Sequence, residues 1–243
     1  MGEAVNELSL FTGIGGGIYG SKLLGWKTIG YVENDTYCQR VIRARINDGI
    51  FDTAPIFSDI REFVKSGFAD QYNGFADVVT AGFPCQPFSL AGRQSGENDE
   101  RNLWPDTLEC ISRIRPRFAY LENVPGLLIS EYFGTILADL AAIGYDCKWE
   151  IISAAEIGGQ HLRKRLWILA YPSGLRLKKG QKSIREYTHP YKPDIINVPQ
   201  RIRPQPSVHR KNNGIPNRID RIKALGNAQV PQVFATAWYR LNA

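Results

Sequence analysis

No stretch of this 243-residue chain approaches the roughly 18 to 20 consecutive apolar residues that a membrane-crossing helix needs. Its first ten residues, MGEAVNELSL, also lack the basic-then-apolar order of a secretory signal, so a cytoplasmic protein with no membrane partner is expected. Cysteine is sparse: Cys38, Cys85, Cys110 and Cys147 stand far apart, with no CxxC pair and no histidine at zinc-finger spacing. That pattern speaks against a disulfide framework and against a metal site. Internal repeats are absent too, which sets aside solenoids and propellers.

Acidic residues are scarce in one region only. Residues 1–160 hold 13 Lys and Arg against 21 Asp and Glu, whereas residues 161–223 hold 16 against 3, for a local net charge of +13. Such a concentration suits contact with a polyanion, because Lys and Arg neutralise phosphates and release condensed counterions. A solvated basic loop would read the same way, and charge alone leaves both open.

Over the first 172 residues, short β-branched and aromatic runs alternate with amphipathic stretches. Strands are expected at Leu8 to Thr12, Thr28 to Glu33, Asp77 to Ala81, Phe118 to Glu122, Lys148 to Ser153 and Leu166 to Tyr171. Helices are expected at Ile18 to Leu24, Thr36 to Ile46, Leu103 to Ile114 and Tyr132 to Ile143. This alternation predicts an α/β fold, a doubly wound and mainly parallel sheet covered on both faces. From Pro172 to about Lys223 prolines recur too often for regular structure, and an amphipathic helix from Ala228 to Leu241 then returns to the core. The expected division is a catalytic and cofactor-binding domain over 1–171 and 224–243, with a small target-recognition region over 172–223.

In doubly wound sheets the ligand crevice lies beyond the carboxyl ends of the strands. Strand ends here carry Phe11-Thr12-Gly13-Ile14-Gly15-Gly16-Gly17, Glu33-Asn34, Ser58-Asp59-Ile60, Gly82-Phe83-Pro84-Cys85-Gln86-Pro87 and Glu122-Asn123-Val124. The glycines permit close approach of a ligand to bare backbone, but their spacing is not GxGxxG and no phosphate-binding lysine follows. Glu33 is placed to accept hydrogen bonds from a ribose diol, which favours a nucleoside-containing cofactor over a plain glycine turn. Cys85, between two prolines just past a strand end, is held on a stiff loop at the crevice mouth. A thiol becomes a useful nucleophile only when amides or cations lower its pKa, and Arg163 and Arg165 are candidates for that role.

These motifs, in this order along nearly the whole chain, resemble the C5-cytosine-specific DNA methyltransferases of bacterial or phage type. FTGIGGG at 11–17 is similar to the first cofactor motif, Glu33 to the second, Asp59 to the third, GFPCQPFS at 82–89 to the nucleophile motif and Glu122-Asn123-Val124 to the ENV motif. His161-Leu162-Arg163-Lys164-Arg165 resembles the QxRxR signature, and RIKALGNAQV at 221–230 the closing motifs. The resemblance implies S-adenosylmethionine as cofactor and double-stranded DNA as partner, with a protein expected to act as a monomer in restriction-modification or in the protection of phage or host DNA. Cys85 would attack carbon 6 of a flipped cytosine, Glu122 would serve ring nitrogen 3, and Arg163 and Arg165 would orient the base, its phosphate or the thiolate. Phe11, Gly13, Gly15, Glu33, Asp59, Ile60, Pro84, Leu103, Asn227 and Val230 would form the cofactor pocket. Gly92, Ser95 and Gly96 make 91–102 a candidate lid.

Two positions depart from the family pattern: Ser9 stands where many members have Asp, and His161 replaces the usual Gln. The segment 172–222 is short for the region that reads DNA sequence, so a brief recognition site is expected. A tRNA cytosine methyltransferase with the same machinery, and a noncatalytic DNA-binding protein that keeps the fold, are the competing readings. A methylase of exocyclic amines or a nicotinamide oxidoreductase would not explain Cys85.

Overall fold

The computed structural model describes residues 4–84, 102–175 and 218–242. Seven strands form one sheet in the order β3-β2-β1-β4-β5-β7-β6. They are β1 (Asn6–Leu10), β2 (Lys27–Val32), β3 (Ile56–Phe57), β4 (Val78–Ala81), β5 (Phe118–Asn123), β6 (Tyr145–Ile152) and β7 (Arg165–Pro172). The first five run parallel, and β7 runs antiparallel to both β5 and β6. Order reverses between β2-β1 and β4, which is where a doubly wound sheet opens its crevice.

Central strands β4 and β5 are buried along their whole length, as strands covered on both faces must be. Side chains alternate across the sheet. Val79 and Leu121 face a core shared with α3 (Ile60–Lys65), α4 (Trp104–Ile114) and α5 (Glu131–Ala142). Val78 and Tyr120 face the opposite layer, which the C-terminal helix α7 (Pro231–Leu241) fills with Phe234 and Trp238. Helices α1 (Gly16–Leu23) and α2 (Thr36–Asn47) meet β2 through Ile18, Ile42 and Tyr31. Burying a side chain such as Phe234 contributes about 1.5 to 3 kcal/mol. Tyr120 adds a hydrogen bond from its hydroxyl to the Phe234 carbonyl at 2.7 Å, so the last helix is fixed to the central sheet.

The doubly wound α/β architecture agrees with the sequence pattern, and two helices go beyond it. Helix α3 starts on Asp59, whose carboxylate caps the amide of Arg61 at 2.8 Å. Helix α6 (Arg218–Asn227) begins two residues after Pro216 and runs through Gly226. Helix thus resumes before Lys223, and the 223/224 boundary falls inside α6. The final helix starts at Pro231 rather than Ala228, with proline in the first turn where its missing amide costs nothing. Among the described residues, no helix is long and apolar enough to cross a membrane.

Candidate active site

Strand ends β1, β2 and β3 border an open cleft lined by Phe11, Val32, Glu33, Asn34, Asp59, Ile60, Arg61 and Leu103. Phe11 takes a left-handed backbone with φ 53°, a conformation that costs a non-glycine residue on the order of 1 to 3 kcal/mol. Glu33 is buried, and its two oxygens accept the amides of Gly13 at 2.6 Å and Asp35 at 2.7 Å. Burial pushes its pKa up, while those same amides pull it back down. A carboxylate has about four acceptor sites, so capacity remains for hydroxyl donors. With Asp59 beside it, the cleft offers carboxylate acceptors and an aromatic face. That set suits a nucleoside.

Of the expected cofactor residues, Phe11, Glu33, Asp59, Ile60 and Leu103 line this cleft, and Gly13 touches it through the Glu33 hydrogen bond. Gly15 serves the turn: its φ is +88°, and a methyl there would stand 2.4 Å from the Phe51 ring. Val230 packs at the margin of the α7 core, Asn227 is exposed, and Pro84 ends the described part of the β4 loop. Val32, Asn34 and Arg61 line the cleft as well without having been expected in the cofactor pocket, although each adjoins a motif residue and Asn34 stands in a strand end that the sequence singles out.

A second group gathers at the same edge of the sheet, where β5 meets β7. Glu122 is 9% exposed and pairs with Arg165 across the antiparallel ladder, Nε to Oε1 at 2.7 Å. Burial raises the Glu122 pKa above the ordinary carboxylate value, against the lowering influence of Arg165, Gln229 and Arg163. Neighbouring Asn123 donates its side-chain amide to the Phe83 carbonyl at 3.1 Å, tying the loop that leads to Cys85 onto the strand that carries Glu122. Arg163, at φ 23°, directs its guanidinium to the carbonyls of Gly226 at 2.8 Å and of Ala228. It therefore braces the connection between α6 and α7. His161 is exposed, and Ser9 is buried, accepting the Thr12 hydroxyl at 3.1 Å.

Burial pushes the thiols of Cys38 and Cys147 up to about 12 and that of Cys110 upward as well. These three are poor nucleophiles at neutral pH. Cys85 lies outside the described residues, as do all of the candidate lid except Asn102 and most of the basic region, residues 176–217.

The signature of the C-5 cytosine-specific DNA methylases matches residues 5–236, a span that takes in the cleft, the Glu122–Arg165 pair and most of α7. The chain belongs to this family. Among C-5 cytosine-specific DNA methylase relatives, the type II methyltransferase M.CviJI of Paramecium bursaria Chlorella virus IL3A is 34% identical over 165 residues, covering 67% of this chain and 42% of that protein. M.NgoMIV of Neisseria gonorrhoeae is 34% identical over 168 residues, covering 68% and 51%. The chain thus spans about half the length of the curated relatives it matches. Its fold is that of solved methyltransferases. A Spodoptera frugiperda DNMT2 mutant superposes with TM-score 0.59 at 19% identity, covering 74% of this chain and 53% of that one. The Entamoeba histolytica methyltransferase EhMeth gives 0.56 at 20%, covering 70% and 53%.

Proposed function

We propose that this chain is a DNA (cytosine-5-)-methyltransferase that takes its methyl group from S-adenosylmethionine. The observation that carries the reading is the buried Glu122–Arg165 pair, standing on the sheet edge beside the loop that enters Pro84-Cys85. The acidic, aromatic cleft at the ends of β1 to β3 fits the cofactor, which has a ribose diol and an amine to donate. Phe11 would face the adenine, Glu33 the ribose, and Asp59 the adenine amine. When bound, the cofactor supplies an electrophilic methyl on a sulfonium centre.

Carbon 5 of cytosine is a poor nucleophile until a thiolate adds to carbon 6. Cys85 would form that sulfur–carbon bond while Glu122 gives a proton to ring nitrogen 3, so the displaced π electrons end in an enamine. Carbon 5 of the enamine would take the methyl, leaving the cofactor as a neutral thioether; carbon 5 would then lose its proton to a base, nitrogen 3 would return its proton to Glu122, and the Cys85 bond would break to restore the aromatic ring and the thiolate. Arg165 would hold Glu122 in place through the cycle. Carbon 6 is hidden within stacked duplex, so the target nucleotide must be extruded.

Double-stranded DNA is the partner this chemistry calls for, met by the basic stretch within 161–223, with residues 172–223 as target-recognition region and the rest as catalytic domain. The relatives' type II methyltransferase names favour a role in restriction-modification or in protecting phage or host DNA. The test incubates the protein with radiolabelled S-adenosylmethionine and either duplex DNA or tRNA, alongside Cys85→Ala. Label is expected on DNA cytosine and is expected to vanish in the variant. DNA labelling that survived Cys85→Ala would overturn the covalent route, and label on tRNA alone would move the substrate to RNA.

A further inference from the structure

Among the described residues, Glu122 receives one donor on each oxygen, and the two come from separate elements. Arg165 of β7 holds Oε1, while Gln229, in the connection between α6 and α7, directs its Nε2 to Oε2 at 3.5 Å. The terminal torsion of glutamate is broad and roughly two-fold, so a carboxylate anchored by one oxygen still swings about that contact. A donor on the second oxygen fixes its plane.

Gln229 is itself closely seated. Its backbone lies over Gly16, where a methyl would stand 2.3 Å from the Gln229 carbonyl oxygen, and its Oε1 lies 2.4 Å from a methyl placed on Gly17. Gly82 leaves room on the other side: a methyl there would be 3.1 Å from the Gln229 Nε2 and 3.2 Å from Glu122 Oε2. The Arg163 guanidinium holds the carbonyls of Gly226 and Ala228 just before it. Three chain segments thus deliver one amide to one carboxylate oxygen.

We propose that Gln229 is a positioning residue that sets the orientation of the Glu122 carboxylate toward the edge of the target base. The proposal rests on the cytosine methyltransferase reading for its purpose, but its physical content does not. Among the described residues, the groups facing Glu122 are Arg165 and Arg163 from the β7 side, Gln229 from the α6–α7 connection and the buried phenol of Tyr120 two residues back on β5. The Gln229 amide favours the ionised carboxylate, so its removal moves Glu122 titration upward, and a second carboxylate in its place moves it further.

The experiment uses the whole chain with carboxyl-labelled glutamate, titrated by NMR without DNA or cofactor, with Glu122→Gln identifying the resonance. In Gln229→Met the Glu122 midpoint is expected to rise, and in Gln229→Glu to rise more. In methyl-transfer assays the basic limb of the pH profile should move upward with the NMR midpoint, while kcat on the plateau, where Glu122 is protonated in wild type and variant alike, should fall by about threefold to tenfold with little change in the cofactor KM. An unmoved midpoint in both folded variants would overturn the proposal, as would a lower kcat on an unshifted pH profile. If the wild-type chain methylates no DNA while the midpoint still rises, the functional reading fails and the positioning contact stands.

Discussion

Two buried glutamates show how environment assigns different duties to one residue type. Glu7 in β1 is fully buried, and its oxygens accept the hydroxyls of Thr80 at 2.7 Å and Thr28 at 3.0 Å, with Asp52 as a nearby like charge. Burial dominates and raises its pKa to about 7. Glu122 is buried as well and burial raises its pKa too, but Arg165 stands against it and opposes that rise. The raised pKa of Glu7 gives stability that is fully present below its unfolded value of 4.5 and is lost as pH rises through about 7. Glu7→Gln should therefore be more stable than the wild type at pH 8, by up to about 3 kcal/mol, with the difference vanishing near pH 4. Urea unfolding at both pH values checks this, and an advantage independent of pH would show that ionisation is not the cause. Glu122 was legible in the sequence because the Glu-Asn-Val triplet follows a strand end. Gln229 was not, since it meets Glu122 only across 107 positions of chain.

Helices α1 and α7 pack through a seam of glycine. Gly16 and Gly17 make space for Gln229, and Gly20, one turn on, accommodates Phe234, whose ring carbons would lie 2.6 Å from an added methyl. The glycine cluster after β1 reads in sequence as a cofactor loop, yet it divides its work: Gly13 and Gly15 shape the turn, while Gly16 and Gly17 receive the C-terminal segment. Helix propensity alone favours alanine over glycine by about 1 kcal/mol. At Gly20 the clash with a fully buried ring reverses that sign, and Gly20→Ala should destabilise the fold by about 1 to 3 kcal/mol. Gly134 in α5 has nothing within 4 Å of an added methyl, so Gly134→Ala should stabilise by about 0.5 to 1 kcal/mol. Denaturant midpoints of the two variants moving in the same direction would contradict this account of the seam.

Charge is segregated along the whole molecule, with an acidic first 160 residues and a +13 segment over 161–223. If that segment neutralises about six phosphates, log affinity for duplex DNA should fall against log salt with a slope near −5. Affinity measured from 50 to 200 mM salt checks it, and a nearly flat response would remove the electrostatic role of the segment. The sheet was foreseeable at this scale because apolar runs alternate with amphipathic stretches from β1 through β7. Its neighbours were harder to foresee. The antiparallel placement of β7 between β5 and β6 brings Arg165 opposite the end of β5, a relation that periodicity does not encode.

By itself the sequence determined the fold class, the strand ends that carry polar chemistry and the residue types gathered there, because periodicity and turn composition are local properties. Only the tertiary structure decided which of those residues meet. It sent Arg163 to the α6–α7 connection and Arg165 to Glu122 although strand alternation would put residues two apart on one face, because Arg163 stands before β7 at a positive φ of 23° and leaves the strand geometry. It also brought Gln229 to the same carboxylate, through glycines that leave room for nothing larger. Contacts between distant segments depend on the packing of the whole chain, and no local pattern records them.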